Sequence, residues 1–292
     1  MNNPIIMHVN YCEQGQTIEE MCKKAVKWGF DGIEFRAKRN GVEETREDYI
    51  DEVAKAQKVS GLKYVLFSLN MVNVMDPCPE KRKAAEDDAI DFMKKAAAKI
   101  KCTTFNAFAG GLFNEDDKLR ENWSNNGGNG AARGCHWRWA TESYKRIGAE
   151  AEKLGIKIAF ETHMNYLHDT PANAYALCEM INCDAVGLLL DYGNAVYFRN
   201  NPSLKDTILS VKDKIYDTHL KNSIKLSADP QDRMPTALGG GEINHREYIK
   251  LLKQIGYTGP ITIEAPRPGD REAYAVEDLA YIKKVIEEVE AE

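Results

Sequence analysis

Short apolar runs alternate with longer amphipathic segments along the chain. The first run, Ile5 to Val9, precedes a helix predicted from about Thr17 to Trp28. Thr17 and Glu20 have capping-box spacing there, and Gly29 stops the helix. DGIEF, Asp31 to Phe35, is the second run. A charged helix follows from about Thr45 to Val59, ended by Gly61, and Leu62 to Leu69 reads as the third strand. Pro77 and Pro79 introduce a long helix, Glu80 to about Ile100, and Thr103 to Gly111 is the fourth strand with its turn.

Phe113 to Gly134 breaks this rhythm. It has no hydrophobic period and is rich in Asn and Gly, so it reads as an extended loop, either a lid or interface arm or a solvated insertion. Its Trp123, with His136, Trp137 and Trp139 just beyond, suits either a sugar pocket or a subunit contact. A helix ending near Leu154 leads to the fifth strand, Ile156 to Phe160, and a helix from Pro171 to about Ile181 leads to the sixth, Ala185 to Asn194. A helix from Pro202 to about Val211 precedes the seventh, Lys214 to Asn222. After a polar segment, Ser227 to Gly241, Asn244 caps a helix to about Ile255. Gly259 to Gly269 is the eighth strand, and a helix runs to the end.

Eight β-then-α units without a dividing linker predict an α/β fold, a single (β/α)8 TIM barrel over residues 1–292 with an extended loop after strand four. A doubly wound open sheet is the alternative, but no GxGxxG follows the first strand.

The 292 residues are 43% hydrophobic and 29% charged, enough for a substantial core. The formal net charge of −6 and the lack of a Lys/Arg-rich block speak against nucleic acid or a membrane surface as partners. The amino terminus does not have the pattern of a secretory signal, and no apolar run approaches the ~20 residues of a membrane span. The seven cysteines are odd in number and lack CxxC spacing, so buried free thiols and a cytoplasmic location are expected.

The chemistry is at the strand ends. The fifth run stops abruptly at Glu161, Thr162 and His163, groups that are costly to desolvate without partners. Equivalent positions elsewhere hold Glu34 and Arg36, Asp191 and Asn194, His219 and Lys221, and Glu264 and Arg267. In a barrel these carboxyl ends form the active face. Glu161, Asp191, His219 and Glu264 should therefore converge near the axis. Three gathered carboxylates repel one another, and a divalent cation would relieve that. Oxygen-rich ligation with one imidazole suits Mn²⁺, Mg²⁺ or Co²⁺. An ion-pair network with Lys221, Arg36 or Arg267 is the alternative.

WGFDGIEF (Trp28 to Phe35), IAFETH (Ile158 to His163), GLLLDYGN (Gly187 to Asn194), YDTHLKN (Tyr216 to Asn222) and GPITIEA (Gly259 to Ala265) occur in this order. Together they resemble the xylose isomerase-like barrel superfamily, in particular its sugar phosphate isomerase/epimerase group. The resemblance implies metal ligands at Glu161, Asp191, His219 and Glu264, with Mn²⁺ the first choice, and proton transfer by Glu161 and Glu264. It also implies a small carbohydrate substrate and a dimer or tetramer. One glutamate removes the proton next to a carbonyl and the metal stabilises the enediolate. Return to the other face gives an epimer, return to the adjacent carbon an isomer, and loss of a β-hydroxyl makes the enzyme a dehydratase like the inosose dehydratases.

The residues expected to read the substrate are Glu34, His163, Asn194, Lys221, Lys225 and Arg267. Here the chain departs from ketose 3-epimerases. Asn194 replaces their histidine, Lys225 their arginine, and Leu167, beside His168, their second glutamate. His8 could face pocket or core, and His245, opening a helix, is expected to be solvent-exposed. Six histidines and a negative charge argue against a multi-metal phosphodiesterase like endonuclease IV. Two retained glutamates argue against a binding-only barrel.

Overall fold

The computed structural model describes residues 1–39, 41–69, 72–265 and 267–292. Eight parallel strands form a closed barrel. In chain order they are β1 (Ile5–His8), β2 (Gly32–Arg36), β3 (Tyr64–Leu69), β4 (Cys102–Ala107), β5 (Lys157–Glu161), β6 (Val186–Asp191), β7 (Ile215–Leu220) and β10 (Ile261–Ile263). β10 closes the ring on β1, with Ile5 opposite Ile261 and Met7 opposite Ile263. Pro266, assigned to the eighth strand from the sequence, lies outside the described residues.

Strand alternation separates chemistry from packing. In β2, Ile33 and Phe35 belong to the apolar cluster, while Glu34 between them is also buried and points to the axis side. Phe67 of β3 is the hub of that outer layer. Its ring lies 5.1 Å from Phe92, 5.8 Å from Phe105, 6.2 Å from Tyr49 and 6.3 Å from Phe35. Each such pair adds about 0.5–1.5 kcal/mol to simple burial.

The surrounding helices are α1 (Ile18–Trp28), α2 (Arg46–Ser60), α3 (Pro79–Lys99), α6 (Gly134–Leu154), α7 (Pro171–Ile181), α9 (Leu204–Val211), α10 (His245–Gln254) and α11 (Arg271–Ala291). The capping box of Thr17 and Glu20 forms, and Gly29 ends α1 with φ of 97°. A single turn, α8 (Tyr192–Ala195), follows β6 directly, capped by Asp191, whose side chain accepts from the Asn194 amide.

Two expectations gain detail and one needs correction. The segment after β4 is not structureless: it holds the short helices α4 (Asp117–Arg120) and α5 (Trp123–Asn126) and the 3-10 turn Gly128–Ala131. Local Asx caps such as Asp116 onto the Lys118 amide order it without a hydrophobic period. The polar stretch after β7 contains a hairpin, β8 (Asn222–Lys225) paired antiparallel with β9 (Arg233–Thr236). Finally, His245 is wholly buried, with Nδ1 3.0 Å from the Leu238 carbonyl oxygen. Its place on the inward face of α10, beside Tyr248, overrides the exposure expected at a helix start.

Cys12, Cys22, Cys102 and Cys178 are buried free thiols, and the other three are partly exposed. Among the described residues no helix is long and apolar enough to cross a membrane.

Candidate metal centre and active site

Each of the four expected ligands ends or directly follows a barrel strand: Glu161 on β5, Asp191 on β6, His219 on β7 and Glu264 after β10. One donor atom from each lies within 4.8 Å of all the others. Asp191 and His219 are 0% and 1% exposed, so the group sits inside the barrel mouth.

The imidazole organises the cluster. Nδ1 of His219 lies 2.9 Å from Glu264 Oε2 and 3.9 Å from Glu161 Oε2. Its Nε2 lies 2.8 Å from Glu34 Oε2. A carboxylate behind one ring nitrogen fixes the tautomer and leaves the other nitrogen as the ligand. Glu34 is thus the carboxylate behind the histidine rather than a group at the open mouth.

Two amides tie the acids together. Asn106 Nδ2 donates to Glu161 Oε2 at 2.8 Å and Glu34 Oε1 at 3.1 Å. Asn194 Nδ2 donates to Glu161 Oε1 at 3.2 Å and the Thr162 carbonyl at 3.0 Å. Lys221 extends its ammonium to Asp191 Oδ2 at 2.7 Å and Glu264 Oε2 at 2.9 Å. His8 faces the pocket, its Nε2 3.8 Å from Glu264 Oε1.

The electrostatics follow from burial and these partners. Burial pushes Asp191 up to about 6, against the pull of Lys221. Burial also raises Glu161, with His219 offsetting only part. Burial would raise Glu264 as well, but Lys221, His8 and His219 outweigh it and hold the carboxyl well below its usual range. Burial opposes a charge on His219, yet Glu34, Glu161 and Glu264 together keep the ring protonated well above its ordinary range.

The donor set fits a divalent cation. It offers three carboxylates and one imidazole, hard oxygen-rich ligation. Asp191 Oδ2, fully buried, accepts no well-aligned hydrogen bond although Lys221 is near it. His219 and the Lys221 ammonium bring positive charge to the three carboxylates.

Beside the cluster a pocket of about 180 Å³ is lined by Met164, Asn194, Tyr197, Lys221, Ser223 and Pro235, among others. The hairpin β8–β9 supplies one wall. The segment after β4 covers the neighbourhood: the Trp123 ring lies 5.8 Å from that of Tyr197, tilted by 41°, and Gln231 in the hairpin turn accepts from the Ser124 amide. Trp139 lies away from this pocket, under the Arg82 guanidinium. His163 stands nearby, with Nδ1 2.9 Å from the Met164 carbonyl oxygen and its ring against Phe108 and Tyr166.

The expected substrate shell divides. Glu34, Asn194 and Lys221 contact the acid cluster directly. Lys225 does not: it is exposed on the hairpin, its amide on Glu242. Arg267 is bound elsewhere, 2.7 Å from Asp278 and 2.8 Å from Glu277. A guanidinium beyond the strand end finds these helix carboxylates before it reaches the pocket. Asn106 and Asn10 were not among the expected site residues: each is a neutral amide with no charged neighbour in sequence to mark it. Asn106, polar within the apolar TTFNAF of β4, carries the signal that could have found it.

The chain matches the family described as xylose isomerase-like TIM barrel over residues 22–285. It belongs to that family. A xylose isomerase-like TIM barrel protein from Mycobacterium smegmatis, solved in complex with magnesium, shares the fold with a TM-score of 0.75 at 22% identity, covering 99% of this chain and 98% of that one. A D-psicose 3-epimerase solved in the presence of D-fructose superposes with a TM-score of 0.75 at 16% identity over 97% of this chain and 99% of its own. Among curated proteins, the inosose dehydratase of Clostridium perfringens strain 13 is 24% identical over 163 residues, 51% of this chain and 54% of that protein. The chain thus spans about half the length of the curated relatives it matches. As a member of the xylose isomerase-like TIM barrel family, the chain carries the Glu, Asp and His cluster at the face where barrel enzymes do chemistry.

Proposed function

We propose that the protein is a metal-dependent isomerase or epimerase of a sugar or cyclic polyol ketone. The observation that carries this reading is that Glu161 and Glu264, two of the four clustered donors, both approach Nδ1 of one imidazole. A bound divalent ion, Mn²⁺ by preference or Mg²⁺ or Co²⁺, would be held by Glu161, Asp191, His219 and Glu264 and would polarise a carbonyl as a Lewis acid.

The chain's own residues then divide the work. Glu264, held anionic by Lys221, His8 and His219 against its burial, suits removal of the proton next to the carbonyl. Glu161, pushed up by burial, suits a group that holds and returns a proton. Such opposed environments for two carboxyls are a mark of paired acid and base roles. Asn194 and Lys221, which line the pocket, would read substrate oxygens, together with His163 beside Met164 of that lining. Tyr197, Met164 and the hairpin residues Ser223 and Pro235 line the pocket with them.

A second reading, dehydration of an inosose-like or oxidised glycoside substrate, is favoured by two observations. The curated relatives include inosose dehydratases. Lys221 also places an ammonium 2.9 Å from Glu264, where a departing β-hydroxyl would need a proton.

Incubating candidate ketoses with the Mn²⁺-loaded protein in deuterium oxide tests both. The first reading expects label on the carbon next to the carbonyl together with an epimer or isomer. A labelled product lighter by one water selects the second. Glu264→Gln should stay folded and lose about 10²–10⁴-fold in turnover. A chelator-treated, metal-free protein with full activity would sink both readings.

A further inference from the structure

The geometry points to Asn10 as a positioning residue that aims one oxygen of Glu264, with Arg36 setting the direction of its amide. The inference rests on the proposed role of Glu264 in proton transfer.

Asn10 lies in the single 3-10 turn Val9–Tyr11 after β1, and Glu264 directly follows β10, the strand paired with β1. The two oxygens of Glu264 have separate surroundings. Oε2 faces the ligand cluster, 2.9 Å from both His219 Nδ1 and Lys221 Nζ. Oε1 accepts from Asn10 Nδ2 at 2.8 Å, with His8 Nε2 beyond hydrogen-bond reach at 3.8 Å. A carboxylate oxygen has two lone-pair directions, so the amide takes one at Oε1 and leaves the other for a substrate proton.

The direction of the Asn10 amide is decided by chemistry. Arg36 Nη2 donates to Asn10 Oδ1 at 2.5 Å. A guanidinium has only donors, and an ionised carboxylate only acceptors. A flipped amide would set NH₂ against guanidinium and oxygen against carboxylate, so only one orientation satisfies both neighbours. Arg36 is itself anchored, with Nε 3.0 and 3.2 Å from the two oxygens of Glu13. The backbone of Asn10 is fixed as well: its amide donates to His8 Nδ1 at 3.1 Å, and its carbonyl accepts from Arg271 Nη1 at 3.1 Å. All four polar groups of this side chain and its peptide units are therefore committed, and the single one directed at the metal centre is directed at the oxygen facing away from the ligand cluster.

Without Asn10, Glu264 would keep its Oε2 contacts but lose the restraint on rotation of its carboxylate. Misplacement on the scale of 1 Å costs about a hundredfold in rate. The expected signature is a fall in turnover without a matching loss of substrate or metal binding.

The test uses the full chain loaded with Mn²⁺ and the ketose that the wild type labels in deuterium oxide. Asn10→Ala should lower kcat for label incorporation about a hundredfold while KM and the Kd for Mn²⁺ stay within about threefold. Asn10→Asp, which turns a carboxylate oxygen toward Glu264, should lose more. Arg36→Met leaves Asn10 in place but frees its amide to turn, and should lose about tenfold. This variant also keeps the inference testable if Asn10→Ala does not fold. Retained kcat in the folded Asn10→Ala or Arg36→Met protein, or a loss of Mn²⁺ affinity as large as the loss of kcat, would overturn the inference while leaving the proposed function standing. A wild type that labels no ketose would overturn that function instead, and the inference with it.

Discussion

Nε2 of His219 lies 2.8 Å from Oε2 of Glu34, a contact made between two fully buried side chains across the barrel interior. It commits the other ring nitrogen to Glu161 and Glu264. Removing the carboxylate frees the ring to turn or change tautomer. Glu34→Ala is therefore expected to weaken Mn²⁺ binding about 10–100-fold, and Glu34→Gln, which keeps an acceptor oxygen, less. Calorimetric titration of Mn²⁺ into each variant checks this, with circular dichroism to confirm the fold. Unchanged affinity in Glu34→Ala would remove Glu34 from the support of the site.

Metal binding should release protons. In the metal-free chain three glutamates keep His219 protonated above its usual range despite burial, and burial holds Asp191 up to about 6. Both must be deprotonated to act as ligands, so affinity for Mn²⁺ should rise with pH. Titration in two buffers of different ionisation enthalpy gives the proton count directly. A count of zero at pH 6 would contradict the charge pattern described for the cluster.

Acid should destabilise the fold in a defined window through His245. Burial lowers this ring from 6.5 to about 4, against its bond to the Leu238 carbonyl. The unfolded chain then binds the proton more readily between those two values, so stability is full above about pH 6.5 and falls as pH drops toward 4. The loss assigned to this residue is roughly 3 kcal/mol. Urea midpoints across that range should show the fall, and His245→Asn should flatten it by about one proton's worth. His168, lowered to about 3 by burial, keeps a remaining slope in that variant.

Two glycines should respond differently to the same substitution. A Cβ at Gly187 on β6 would come within 2.5 Å of the Lys214 carbonyl oxygen and the Tyr216 ring. Backbone cannot easily yield, so Gly187→Ala should cost about 1–3 kcal/mol of stability. A Cβ at Gly193 would overlap Cγ of Lys221, near the root of that side chain, so the whole side chain must change rotamer. Gly193→Ala should therefore lose turnover as the ammonium leaves Asp191 and Glu264, whereas Gly187→Ala, at the other end of β6, should lose stability and keep that ion pair. Thermal melts and initial rates on the two variants separate the cases.

The barrel was legible because its strands are apolar runs with helices between, and because caps such as Thr17 and Gly29 act within a few residues. The convergence of four side chains was legible for a related reason: strand ends in a closed barrel face one place, so Glu161, Asp191, His219 and Glu264 meet wherever the helices go. Side chains several residues beyond a strand end were not legible. Lys225 and Arg267 lie where hairpin and helix contacts settle them, and those are long-range. His245 was read by its place in a helix, whereas its burial depends on which side of α10 the barrel covers. Asn106 escaped because it stands in an apolar run with no charged neighbour, although it bridges two of the acids.

The seam between β1 and β10 joins the first and last strands of the chain, and both Asn10 and Glu264 stand on its rim. The ligand set is consequently incomplete until the final strand has docked. A nascent or truncated chain ending before β10 holds three of the four donors and none of the cross-seam contact. A divalent ion held by Glu161, Asp191, His219 and Glu264 would tie β10 to β5, β6 and β7, so the free energy that loads the site would also hold in place the strand that closes the ring on β1.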